Sequence, residues 1–173
     1  SKKINNSAAP QAALQKKPPV KVQNTGDLAV MLQVLPESGA ALAETAEIHP
    51  VANSDPDPAS EVLLLGDSFT NIYSTPDLGW GEGAGLAEQL SWNLGKPIDR
   101  ISINAGGALS VRQALARNPA RLDGKKTVVY QFAVRELTSG DWRPVSIPAT
   151  VAQSPASEGS AVLHGVIKAV SRL

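Results

Sequence analysis

Four apolar residues in succession, 62–65, run into Gly66-Asp67-Ser68 within the segment Glu61-Val-Leu-Leu-Leu-Gly-Asp-Ser-Phe69. An unbroken apolar run of this length, ended by a turn signal, fits a strand buried on both faces. The strand stops at a glycine, which takes backbone angles closed to other residues. A serine at the carboxyl end of a central strand lies where open α/β sheets hold their ligand sites. Ser68 can therefore be read as a nucleophile. It can also be read as part of a helix cap with Asp67, a common use of both residue types.

The surrounding chain supplies the rest of an α/β pattern. Val20 and Val22 alternate with Lys21 and Gln23 as in a short edge strand. Thr25-Gly-Asp27 before Leu28, Ala29, Met31 and Leu32 predicts a short helix. Glu47-Ile-His-Pro-Val51 reads as a strand that Pro50 confines to an edge. Residues 75–85 form a glycine-rich loop, and Leu86, Ala87, Leu90 and Leu94 follow at helical spacing, closed by Gly95 and Pro97. Residues 98–103 alternate as a strand, Asn104-Ala-Gly-Gly107 turns, and Ser110-Val-Arg-Gln113 reads as a capping box opening a helix. Thr127-Val-Val-Tyr-Gln-Phe132 is a third strand, with Tyr130 expected in the core. Strands separated by helices imply right-handed crossovers and a mostly parallel sheet. Residues 1–19, rich in Ala, Gln, Lys and Pro, read as a flexible linker or peripheral arm. Residues 20–148 form the core, and 149–173 a tail or the start of a further β element.

Composition narrows the function classes. At 173 residues, 42% hydrophobic and 18% charged, the chain reads as one soluble globular domain. Sixteen Lys and Arg balance sixteen Asp and Glu, so no global field draws it to nucleic acid or anionic lipid. No apolar run is long enough to span a bilayer. The absence of cysteine excludes disulfides, thiolate metal sites and cysteine nucleophiles. Asp55 and Asp57 lack the glycine and terminal Glu of a calcium loop, and residues 79–85 lack a phosphate-loop pattern. Neither a metal nor another cofactor is expected.

In a doubly wound sheet the turns at 66–68, 104–107 and 133–136 converge. They would bring together a hydroxyl nucleophile, glycine N–H groups able to approach an oxyanion, and the cation of Arg135. Acyl transfer requires such a set together with a base.

Leu-Leu-Gly-Asp-Ser-Phe, the Gly106-Gly107 turn and the run Val-Val-Tyr-Gln-Phe-Ala-Val-Arg-Glu-Leu…Gly-Asp-Trp resemble the SGNH hydrolase-like domains of bacterial alginate O-acetyltransferases, over roughly residues 25–148. The resemblance implies a three-layer α/β sandwich, here incomplete. It implies a serine acyl-enzyme that transfers or removes acetyl groups on an exopolysaccharide outside the cytoplasm. It assigns Ser68 as nucleophile and Gly106 or Gly107 as an oxyanion donor; the Ser68 N–H would be the second donor, and Arg135, read from the position of its turn, would face developing charge or the substrate. The expected partners are a polysaccharide or acyl donor and other exopolysaccharide-modifying proteins.

The family's Asp-x-His motif before the serine, and the Asp-x-x-His of plain SGNH hydrolases after it, are both missing. The histidines are His49 and His164. His49 stands in Glu47-Ile-His49, a spacing that puts both side chains on one strand face. It is a candidate base; a structural, partly exposed histidine is the plainer reading. The chain is accordingly expected either to be a segment of a longer enzyme whose Asp and His lie elsewhere, inactive or nearly so by itself, or to be a non-catalytic polysaccharide-binding or scaffolding module. Trp80 and Trp142 would stack on sugar or plug loops, Trp92 would lie on the polar side of its helix, and Arg135 would serve the site or pair with Glu136 or Asp141.

Overall fold

The computed structural model describes residues 12–26 and 43–148. In chain order these form β1 (Gln15–Lys16), β2 (Val20–Asn24), β3 (Glu44–Ile48), β4 (Val51–Ala52), β5 (Val62–Gly66), α1 (Ser68–Asn71), α2 (Leu86–Leu94), β6 (Asp99–Ser102), α3 (Gly107–Arg117), β7 (Thr127–Tyr130) and α4 (Glu136–Ser139). Single 3-10 turns occupy Pro76–Leu78 and Pro119–Leu122. The helix expected near 28–32 and the segment 160–173 lie outside the described residues.

The apolar run is the middle strand of a three-stranded sheet of order β6-β5-β7. Both neighbours are parallel to β5, with Leu65 opposite Ile101 on one side and Tyr130 on the other. Successive side chains on a strand point to opposite faces. Leu64 accordingly packs with Ala87 of α2 and with Ile98, while Leu63 and Leu65 pack with Val111 and Leu115 of α3. One helix thus covers each face of β5, and an alternating strand would have placed polar side chains against one of them. Full burial of each leucine contributes roughly 1.5–3 kcal/mol.

Helix α2 matches its predicted span and ends at Gly95, whose N–H reaches the Ser91 and Trp92 carbonyls. Its inner face differs from the expected one. Leu94 is exposed and Ser91 is buried, because Ser91 Oγ donates to the Ala87 carbonyl at 2.8 Å and accepts the Ile98 N–H at 3.2 Å. Trp92 is partly exposed, as its position on the helix predicts. Helix α3 begins at Gly107, three residues before the expected capping box. Ser110 is therefore inside the first turn, and the cap comes from Glu136, whose Oε2 accepts the Ala108 N–H at 3.0 Å. Tyr130 is half-buried rather than core, and its hydroxyl donates to the Ala108 carbonyl.

The amino-terminal part adds two antiparallel pairs, β2 with β3 and β1 with β4. Of the stretch 1–19, residues 12–19 are described, and they contribute β1. The predicted edge strand at 47–51 is split. β3 ends at Ile48, β4 starts at Val51, and Pro50 between them offers only its carbonyl, which accepts the Lys17 N–H at 2.8 Å. At the start of β6, Asp99 is fully buried. It accepts Arg121 Nε at 2.9 Å and pairs with Lys125 Nζ at 3.1 Å, so the buried charge is matched.

Candidate active site

The end of β5 requires glycine at 66, because Thr70 packs against it too closely for a side chain. A Cβ there would lie 1.7 Å from Thr70 Oγ1. Asp67 follows, buried, and its Oδ1 accepts the Phe69 N–H at 2.9 Å. The capping reading is thus fulfilled by Asp67, which leaves the Ser68 side chain uncommitted. Ser68 opens α1, is partly exposed, and its hydroxyl and N–H have no hydrogen-bond partner among the described residues.

Two side-chain bridges tie this turn to its neighbours. Gln131, just beyond β7, accepts the Thr70 hydroxyl at 2.6 Å and the Asp67 N–H at 3.4 Å with one oxygen. Asn71 Nδ2 donates to Asn104 Oδ1, just beyond β6, at 2.9 Å. The backbone adds Ile103 N–H to the Gly66 carbonyl at 3.0 Å and Gln131 N–H to the Leu65 carbonyl at 2.8 Å. Gln131 and the Asn71–Asn104 pair escaped the sequence reading. A signal was present at Gln131, a polar residue between Tyr130 and Phe132 in the expected strand.

In the second turn the two glycines differ. The Gly106 N–H is committed to the Ile103 carbonyl at 3.2 Å, whereas the Gly107 N–H has no acceptor among the described residues. Gly107 has φ +55°, which glycine adopts without strain. In the third turn Arg135 is exposed, with its guanidinium carbon 5.7 Å from the centre of the Phe69 ring. Neither expected carboxylate pairs with it. Glu136 caps α3, and Asp141 is bound by Arg143 Nε at 2.9 Å, a hydrogen bond that holds the Asp141 carboxyl below its usual range. Arg135 has no ion-pair partner among the described residues.

His49 stands just past β3 with Nε2 3.8 Å from Glu47 Oε1, both side chains about half exposed. Its carbonyl accepts Gln89 Nε2 of α2 at 2.7 Å, and no hydrogen bond joins it to Ser68 among the described residues. His164 lies outside the described residues. A cleft of about 560 Å³ lies away from Ser68, between the amino-terminal strands and α2, with Val22, Ile48, Glu88 and Arg100 among its walls. Trp142 packs against Tyr130 and Phe132 beneath Arg112, and Trp80 packs edge-on against Tyr73. Both tryptophans make packing contacts within the fold.

No protein-family model and no curated protein matches the chain. Among solved structures it is similar to the O-acetyltransferase domain of Pseudomonas putida AlgJ, with a TM-score of 0.51 at 17% identity. The match covers 80% of this chain and 46% of that one. The chain therefore shares the fold of part of that domain and spans less than half its length.

Proposed function

We propose that the chain is the serine-bearing part of a carbohydrate O-acyltransferase or esterase of SGNH type, with the sheet completed into a three-layer sandwich in the full protein. The observation that carries the reading is the uncommitted Ser68 hydroxyl at the carboxyl end of the middle strand, braced to both neighbouring turns by Gln131 and by Asn71–Asn104. The similarity to an acetyltransferase domain supports the same reading.

Ser68 Oγ would attack the acyl carbonyl, its proton passing to a base, and the donor alcohol would leave as the acyl-serine forms. A sugar hydroxyl, or water, would then attack that ester and free Ser68. The oxyanion would be held by the N–H groups of Ser68 and Gly107, the Gly106 N–H being spent on Ile103. Arg135, exposed and without a carboxylate partner among the described residues, would meet an anionic polymer such as a uronate at the rim of the site. No described residue presents a base to Ser68 Oγ, so His49 is retained only as a weak alternative to an Asp and His supplied by the rest of the protein. The acceptor class, exopolysaccharide, and a place outside the cytoplasm belong to this proposal.

The runner-up is a non-catalytic polysaccharide-binding or scaffolding module. The lack of a base in contact with Ser68 among the described residues favours it. Turnover of a chromogenic acetyl ester by the full protein separates the two. The enzyme reading expects Ser68→Ala to lower kcat at least about a thousandfold. Equal turnover in both, or none in either, favours the module.

A further inference from the structure

The carboxylate of Glu136 lies at the mouth of α3. Its Oε2 accepts the Ala108 N–H at 3.0 Å, and a Cβ on Gly107 would stand only 3.1 and 3.2 Å from its two oxygens. The group therefore rests against the Gly107 Cα, and the Gly107 N–H has no acceptor among the described residues. It is held there from behind. The Glu136 carbonyl accepts the Gly140 N–H at 3.0 Å and the Trp142 indole N–H, and a Cβ on Gly140 would lie 2.8 Å from Oε2. A carboxylate suits a helix amino terminus, where the first N–H groups carry partial positive charge. This placement has a chemical consequence for the neighbouring glycine.

We infer that Glu136 is a positioning residue that decides which N–H groups an oxyanion can use: it takes Ala108 N–H, leaves Gly107 N–H open, and sets its negative charge against the charge that acyl transfer builds there. The inference rests on the oxyanion role proposed for Gly107. The carbonyl of a bound ester is neutral and the tetrahedral oxyanion is not, so the Glu136 charge bears on the transition state more than on substrate binding. It slows acylation while keeping the turn in the one conformation that presents Gly107.

Two variants of the full protein separate charge from position. Glu136→Gln keeps an acceptor oxygen and the side-chain volume but removes the charge. It is expected to raise kcat for a chromogenic acetyl ester about tenfold with KM unchanged. Glu136→Ala removes the acceptor, and amide hydrogen exchange at Ala108 is expected to quicken at least about tenfold while Glu136→Gln leaves it near wild type. Exchange at Ala108 indifferent to Glu136→Ala overturns the placement. A kcat unchanged or lowered by Glu136→Gln overturns the charge effect. A wild-type protein that never turns over the ester overturns the enzyme reading and the charge effect together, and the exchange result still decides the placement.

Discussion

Gln131 Oε1 accepts from two donors at once, the Thr70 hydroxyl and the Asp67 N–H, and Thr70 is fully buried. Removing that oxygen strands a buried hydroxyl and loosens the turn that carries Ser68. Gln131→Ala should cost about 1–3 kcal/mol, read from the shift in the urea midpoint. A loss below that range would mean that the turn holds its shape without the bridge. Ser68 and Gly66 were recoverable from the chain because a buried strand that ends in glycine and then serine is a local pattern. The bridges made by Gln131 and Asn104 were not, although Gln131 stood out as polar, since their partners lie 61 and 33 residues away and only the parallel register brings them together. The same holds for Glu136, whose partner is 28 residues distant. The sequence offered it as a partner for Arg135, a neighbour in the chain, and the fold gave it to a helix end.

β5 is the element whose identity followed most directly from composition. Three consecutive leucines serve two faces, so truncating one opens a cavity on a single side. Leu64→Ala should destabilise by about 2–5 kcal/mol through its packing with Ala87 and Ile98. At the start of β6, Asp99→Ala should be similarly severe, about 3–5 kcal/mol, because it leaves the Lys125 side chain, 2% exposed, as an unpaired buried charge. Chemical denaturation of both variants checks these values. A near-neutral Asp99→Ala would show that Lys125 finds enough in the Pro58 and Ser60 carbonyls it already contacts. Helix α2 was readable from its apolar spacing and closing glycine. The start of α3 was misread because Ser110-x-x-Gln113 satisfies a capping pattern locally, while a carboxylate from a distant turn caps the helix three residues earlier. Pro50 was read as confining one strand to an edge, and it instead splits that strand into β3 and β4.

Among the described residues the sheet has three strands, and β7 stands at its edge with Val128 46% exposed. Exposed apolar side chains continue past it at Val134 and Leu137. The similar acetyltransferase domain is more than twice as long as the part matched here. Such an edge, with a serine that no base contacts among the described residues, fits the proposed division of the catalytic apparatus between this chain and further sequence. On the proposed reading the isolated chain and the longer protein would react differently, and that fixes how Ser68 should be probed. Each would be incubated with an activated acetyl ester and examined by intact-protein mass spectrometry with peptide mapping. The expected result is one acetyl group on Ser68 in the full protein, lost in Ser68→Ala and absent from the isolated chain. A full protein that carries no acetyl group on Ser68 would contradict the assignment of this serine as the acyl carrier.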